Sequence, residues 1–369
     1  MFILSHPLHG NYGGMLQAYA LQKALLNMSY SVTYVNLNIP YITPPKNVGL
    51  VKHWVKYFLM LTNIMTFYIF VKQRVIQTFC KSFSNIITVL PTEPNTNQSE
   101  ESSNWIVGSD QVWRASYVRP YGDVSVFFLS FLNKKTRKKS ISYAASFGSD
   151  EWDGFPEETE ECRRLLCEFK AVSVREHSGV KICKEVFGVD AVQMPDPTLL
   201  LHLDDYGKII DRENTWLPDS KYVASYVLDE TEGKAELLRE CAREGNMSLQ
   251  HLMPHADAKN RRDRFPISVP QWLRLIRDCE YFITDSFHGC VFAITYNKPF
   301  VCLGNEGRGN ARFDTLLGTF GLEDRMITDA TPEKVLQVLH TPIDWKRVNA
   351  IHDSERERGI NFLKENLCE

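Results

Sequence analysis

Short apolar runs alternate with amphipathic stretches along almost the whole chain, and this alternation restricts the fold more than any other feature. Phe2–Leu4 reads as a strand that begins at once, and the loop from His6 to Gly14 carries three glycines. Met15–Leu26 then keeps Leu16, Ala20, Leu21 and Leu25 on one helical face, and Val32–Asn36 follows as a second strand. A β-loop-α-β start of this kind opens a doubly wound, mostly parallel sheet. Further strands are expected at Trp105–Val107, Ser140–Ala144, Ala171–Val174 and Asp190–Gln193, with a helix over Ser178–Phe187 that stops at Gly188.

The second half repeats the pattern. Strands are expected at Tyr222–Leu228, Leu249–Met253, Tyr281–Thr284 and Pro299–Leu303, and helices at Gly233–Glu244, Pro270–Cys279 and Cys290–Tyr296. The fold class this predicts is α/β, with two Rossmann-like domains facing each other. A length of 369 residues suits two domains of about 100–200 residues each. Pro195, Pro197 and Pro218 interrupt the pattern, so the join is expected between about 195 and 220. No short-period repeat is present, which excludes a solenoid.

Charge narrows the function classes. The 42 basic and 45 acidic residues give a net charge of −3, so no overall positive field exists to hold a nucleic acid backbone. Nine cysteines at irregular spacing, with no Cys-x-x-Cys pair, point to reduced thiols. The first residues lack a positive n-region and a small-residue cleavage site, so the expected location is cytoplasmic.

Residues 47–83 form an apolar-basic insertion. Trp54–Val71 has Lys56 as its only charge, with Lys52, Lys72, Arg74 and Lys81 around it. Thr62, Asn63 and Thr66 in its middle make it marginal for a span, which takes about 20 predominantly apolar residues. It reads either as a helix lying in the membrane interface, with residues 52–81 as the contact, or as a helical insertion packed on the domain.

Chemistry concentrates at strand ends. The strand Tyr281–Thr284 runs into Asp285-Ser286-Phe287-His288-Gly289 and an apolar helix. Such a junction offers free N–H groups and partial positive charge to an anion, at the edge where α/β sheets bind ligands. A histidine there can hold a phosphate or move a proton. In the alternative, Asp285 or Ser286 caps the helix and His288 is a buried structural residue. Arg175 ends the strand Ala171–Val174, where it suits a carboxylate or phosphate ligand or an ion pair with Glu176 or another acid. The Gly-rich stretch Gly304–Arg312 holds Arg308 and Arg312, either as anion clamps or in a surface loop. Asn11, Tyr12, Gly13 and Gln17 sit where a polyol could bind; their loop matches neither Gly-x-Gly-x-x-Gly nor a Walker lysine. His251 and His255 stand at i, i+4, but Pro254 and the missing glutamate remove a metal site.

Taken together, Asn11–Gln22, Gly108-Ser-Asp-Gln-Val-Trp113, Ser142-Tyr-Ala-Ala-Ser-Phe-Gly148, Ser173-Val-Arg-Glu176, Asp196-Pro-Thr-Leu199 and Thr284-Asp-Ser-Phe-His-Gly289 resemble the polysaccharide pyruvyl transferases, in order and over nearly the whole chain. The resemblance implies a glycosyltransferase-B-like fold. Residues 1–200 would form the acceptor-side domain, 201–344 the donor-side domain, and 345–369 a helix crossing back to the first domain. It also implies transfer of the enolpyruvyl group of phosphoenolpyruvate to a sugar diol, giving a pyruvate ketal and phosphate. No resident cofactor is implied, because phosphoenolpyruvate is a co-substrate.

By the same resemblance His288, Arg175 and Arg308 would be the catalytic and anion-binding residues. Arg312 and Ser286 would join them on the donor side, with Asn11, Tyr12, Gly13, Gln17, Ser109 and Asp110 toward the acceptor. Many family members carry arginine where this chain has Ser286. The acceptor implied is lipid-linked, which gives segment 52–81 a role at the inner face of the membrane. Two alternatives stay open: a nucleotide-sugar glycosyltransferase with Glu306 on the donor ribose, and a non-catalytic scaffold of polysaccharide assembly.

Overall fold

The computed structural model describes residues 1–8, 11–37, 64–83, 85–89, 103–120, 122–254, 261–304 and 310–367. Two parallel five-stranded sheets organise it. The first contains β1 (Phe2–Leu4), β2 (Thr33–Leu37), β3 (Ile86–Val89), β4 (Trp105–Val107) and β5 (Ile141–Ser142), in the order β3-β2-β1-β4-β5. Two further strands, β6 (Ser173–Val174) and β7 (Val192–Gln193), pair with each other, and bridges from Ile141 to Ala171 and Ala145 to Val174 join them to β5. The helices α1 (Tyr12–Asn27), α2 (Ile64–Cys80), α3 (Pro156–Leu166) and α4 (His177–Glu185) lie between these strands in the chain.

After α5 (Leu203–Ile210) comes the second sheet: β8 (Tyr222–Tyr226), β9 (Ser248–His251), β10 (Tyr281–Thr284), β11 (Phe300–Leu303) and β12 (Met326–Ile327). Its order is β12-β11-β10-β8-β9. Its helices are α6 (Glu232–Glu244), α7 (Val269–Asp278), α8 (Phe287–Thr295), α9 (Ala311–Phe320) and α10 (Pro332–His340). Each sheet reverses its winding once, between β1 and β4 in the first and between β8 and β10 in the second. The strand ends at these two reversals are where doubly wound sheets hold ligands.

The inner strands are buried on both faces and read as continuous apolar runs, as in β11, where all four residues are inaccessible or nearly so. Strand β5 stops at Ser142, two residues before the sequence pattern ends. Ala144 takes a left-handed φ of 48° and donates its N–H to Ser173 Oγ at 3.0 Å instead of extending the ladder.

Helix α1 begins earlier than its apolar period suggests. Asn11 caps it by accepting from the N–H groups of Gly13 (3.1 Å) and Gly14 (3.4 Å), so the glycines that read as loop form its first turn. The final helix, α11 (Trp345–Leu367), packs on the turn Pro197–Leu200: His352 Nε2 meets the Leu199 carbonyl at 3.3 Å, and Phe362 lies 6.1 Å from the Tyr143 ring. Gly359 is pressed against Tyr143, Leu200 and Pro195, a crossing too close for any side chain.

Of the insertion, residues 47–63 lie outside the described residues. Toward its C-terminal end, Ile76, Phe79 and Phe83 are buried, with Phe79 and Phe83 against the Tyr19 ring of α1. Among the described residues no helix is long and apolar enough to cross a membrane.

Candidate functional site

The carboxylate of Asp196 is the hub of the site. It follows β7, is fully buried, and is shared between the two sheets. Its Oδ2 accepts from Arg175 Nη1 at 2.9 Å and from Ser109 Oγ at 3.4 Å, and lies 3.5 Å from His288 Nε2. Its Oδ1 accepts from the Thr198 N–H at 3.0 Å and the Thr198 hydroxyl at 2.6 Å. Burial alone would raise the Asp196 pKa; His288, Arg175 and Thr198 outweigh it and hold the carboxyl well below its ordinary range.

Arg175 stands at the end of β6 with only 2% of its surface exposed. Besides Asp196 it faces Asp110 Oδ1 at 3.7 Å, so its partners are these two acids and not the adjacent Glu176. Glu176 turns the other way, accepting from the N–H groups of Phe147 (2.7 Å) and Gly148 (3.1 Å). Arg175 Nε is buried with no hydrogen-bond partner, while Arg175 Nη2 and His288 Nε2 face Asp110 and Asp196 at ion-pair distance. A buried donor without a hydrogen bond is costly unless something else fills it.

The Arg175 guanidinium lies 4.5 Å from the Phe287 ring centroid, and the Arg312 guanidinium lies 5.8 Å from the same centroid. Arg312 is buried in the first turn of α9, and burial together with the like charge of Arg175 pushes its pKa down to about 10. Two cations around one aromatic ring mark a place that favours an anion.

His288 occupies the first turn of α8, whose N-cap Ser286 accepts from the Gly289 N–H at 3.4 Å. Ser286 is therefore the cap. Asp285 ties down the facing strand end, accepting from the N–H groups of Leu228 (2.6 Å) and Asp229 (3.1 Å) and pairing with Lys234 at 3.0 Å. Across the cleft, the first turn of α1 abuts His288: a side chain on Gly13 would overlap the imidazole. Two helix N-termini, with their partial positive charges, thus converge on one histidine.

The structure divides the other expected residues. Asn11 and Asp110 line a cavity at the end of the first sheet. Tyr12 instead stacks on Trp272 at 5.5 Å and donates its hydroxyl to the Ile267 carbonyl at 2.7 Å, linking the two halves of the molecule. Gln17, 1% exposed, reaches Ser5 Oγ at 3.3 Å, and Ser109 is fully buried on Asp196. Arg308 and Glu306 lie outside the described residues. Sequence reasoning gives Asp196 no role of its own; its signal is the motif Asp196-Pro-Thr-Leu199, shortly after the strand that ends at Gln193.

Two Rossmann-like domains with facing switch points make this a glycosyltransferase-B-like α/β protein. The Neisseria meningitidis UDP-GlcNAc 2-epimerase bound to UDP-GlcNAc is similar in fold, with a TM-score of 0.52 at 11% identity over 100% of this chain and 99% of that one. The S. aureus MnaA–UDP co-structure gives 0.51 at 13% identity over 100% and 97%. Arabidopsis thaliana UGT89C1 complexed with UDP-L-rhamnose gives 0.51 at 9% over 100% and 99%. No curated relative matches the chain. The family model "Polysaccharide pyruvyl transferase" matches residues 11–307, so the chain belongs to the polysaccharide pyruvyl transferase family. Its activity is of the pyruvyl-transferase type, acting on a polysaccharide.

Proposed function

We propose that the protein transfers the enolpyruvyl group of phosphoenolpyruvate to two hydroxyls of one sugar, forming a pyruvate ketal and releasing phosphate. The observation that carries this reading is the cluster of two buried guanidinium groups, Arg175 and Arg312, and the His288 imidazole around the Phe287 ring. Phosphoenolpyruvate brings a carboxylate and a phosphate, and fixed cations are worth most where water is excluded. Arg175 and Arg312 would take the donor's anionic groups, with Arg308 as a further clamp. The repulsion that depresses Arg312 would be relieved by the bound charge. Ser286, being the helix cap, supplies no cation where many relatives have arginine, so Arg312 carries that part.

His288 would deliver the proton to the methylene carbon, leaving an oxocarbenium-like centre for hydroxyl attack. Acid–base help of this kind contributes about 10²–10⁴-fold. Asp196 fixes both Arg175 and His288, so the anion clamp and the proton donor are set by one carboxylate. The acceptor in this proposal is a lipid-linked saccharide, with segment 52–81 holding the enzyme peripherally at the cytoplasmic face of the membrane.

The test is phosphate release from phosphoenolpyruvate with a panel of free and lipid-linked hexosides. Acceptor-dependent release that His288→Ala and Arg175→Ala both abolish is the expected result. Turnover of a nucleotide sugar in its place, with no phosphate released from phosphoenolpyruvate, would overturn the reading.

A further inference from the structure

Beside the cation cluster lies a cavity of about 160 Å³ with a mixed polar and apolar lining: His6, Asn11, Asp110, Gln111 and Tyr117 stand beside Pro7 and Met15. Topology places it there. His6 follows β1 and Asp110 follows β4, the two neighbouring strands at which the first sheet reverses its winding. His288 stands at the matching reversal of the second sheet, after β10. The two switch points therefore present one histidine each, with Asp110 facing Arg175 from between them.

His6 is held in place by its surroundings. The buried Tyr34 hydroxyl donates to the His6 carbonyl at 2.8 Å, and Asn36 Oδ1 accepts from the Leu8 N–H at 3.0 Å. The His6 imidazole rests 5.5 Å from the Phe127 ring. Asp110 takes a left-handed φ of 80°, a conformation that is strained outside glycine and gathers at functional sites. Its carbonyl is pinned by the N–H groups of Val112 (2.7 Å) and Ser146 (2.9 Å), which enforces that turn. At the cavity mouth Tyr117 is 40% exposed, with the Arg114 guanidinium 4.2 Å from its ring centroid.

An imidazole, a carboxylate, two amides and an exposed aromatic ring match the hydroxyls and the C–H face of a pyranose. The volume is below the ~300–1,000 Å³ of pockets for drug-sized molecules, and so takes one sugar ring. The resemblance already sets Asn11 and Asp110 toward the acceptor; we infer that His6, which lines the same cavity, is the base that takes the proton from the attacking hydroxyl. The inference rests on the pyruvyl-transfer reading above. Burial would raise the Asp110 pKa, but Arg175, His6, His288 and Arg312 together lower it, so the carboxylate stays ionised in the cavity that His6 also lines.

The step balances without an outside reagent. His288 gives a proton to the methylene carbon, and the hydroxyl oxygen forms its bond to the neighbouring carbon while its proton passes to His6. The bond from that carbon to the phosphate oxygen then breaks with its electron pair as the second hydroxyl attacks. The second hydroxyl's proton leaves with phosphate, and the proton on His6 replaces, through solvent, the one spent by His288. Nothing is oxidised or reduced.

The experiment uses the full chain, phosphoenolpyruvate and the panel of hexosides, with phosphate release as the readout. His6→Gln should lower kcat about 10²-fold or more while leaving phosphoenolpyruvate affinity by calorimetry and the melting temperature unchanged. Tyr117→Ala should raise the acceptor KM about 10-fold with kcat retained. An active wild type whose kcat survives His6→Gln, or whose acceptor KM survives Tyr117→Ala, overturns the inference and leaves pyruvyl transfer standing. A wild type that releases no phosphate with any hexoside removes both.

Discussion

Gly13 and His288 lie in the first turns of α1 and α8, helices of opposite halves of the molecule, yet they pack so tightly that a methyl group on Gly13 would overlap the imidazole Cγ, Nδ1 and Cβ. The first turn of α1 therefore acts as a wall that sets the ring's position, and only glycine leaves room for it. This contact binds the two halves of the site into one geometry.

Gly13→Ala is expected to displace the His288 ring. A shift of about 1 Å at a reacting group can cost about 10²-fold in rate. The variant should lose activity by that order in phosphate release while circular dichroism and cooperative melting persist. Full activity would show that the ring tolerates the shift.

Asp196→Asn removes the negative charge that Arg175 and His288 share. Breaking one partner of a buried ion pair costs about 3–5 kcal/mol, because the remaining charge is left uncompensated. The pH dependence follows from the depressed carboxyl pKa. The wild type has the full benefit above the unfolded value of about 3.9 and loses it as pH falls below that value toward the folded one. In denaturant titrations the gap between wild type and variant should therefore be smaller at pH 3 than at pH 6, and should close only as pH falls further toward the folded value.

His352 holds α11 to the Leu199 carbonyl, and burial, aided by Arg356, lowers its pKa to about 4. Between about 6.5 and 4 the unfolded chain takes up a proton that the folded one refuses, so stability falls as pH drops, by up to about 1.4 kcal/mol per unit. His352→Gln, which keeps an N–H donor but does not titrate, should flatten the stability profile over that range. An unchanged slope would move the acid sensitivity elsewhere.

Segment 52–81 is expected to carry the membrane contact. Flotation with anionic vesicles should retain the wild type, and a variant with Lys72→Glu and Arg74→Glu should be released, because basic side chains near an anionic surface contribute about 1 kcal/mol each. Equal retention would limit this segment to packing on α1, which Phe79 already provides.

The sequence by itself determined the two parallel α/β sheets, since apolar period and loop position are local properties that each element carries alone. It also placed Arg175 and His288 at strand-to-helix junctions, because a charged residue directly after a buried strand has only the sheet edge to occupy. The partners of those residues were decided by tertiary structure. Arg175 meets Asp196, 21 residues on, and Asp110 rather than its neighbour Glu176. Tyr12, Gln17 and Ser109 share a motif with ligand-facing residues but spend their polar groups internally. His6 gains its place only when β1 and β4 pair side by side, a register about 100 residues apart that no local pattern encodes. Side-chain direction at a strand end depends on which neighbouring strand and helix arrive there, and that is a property of the folded sheet.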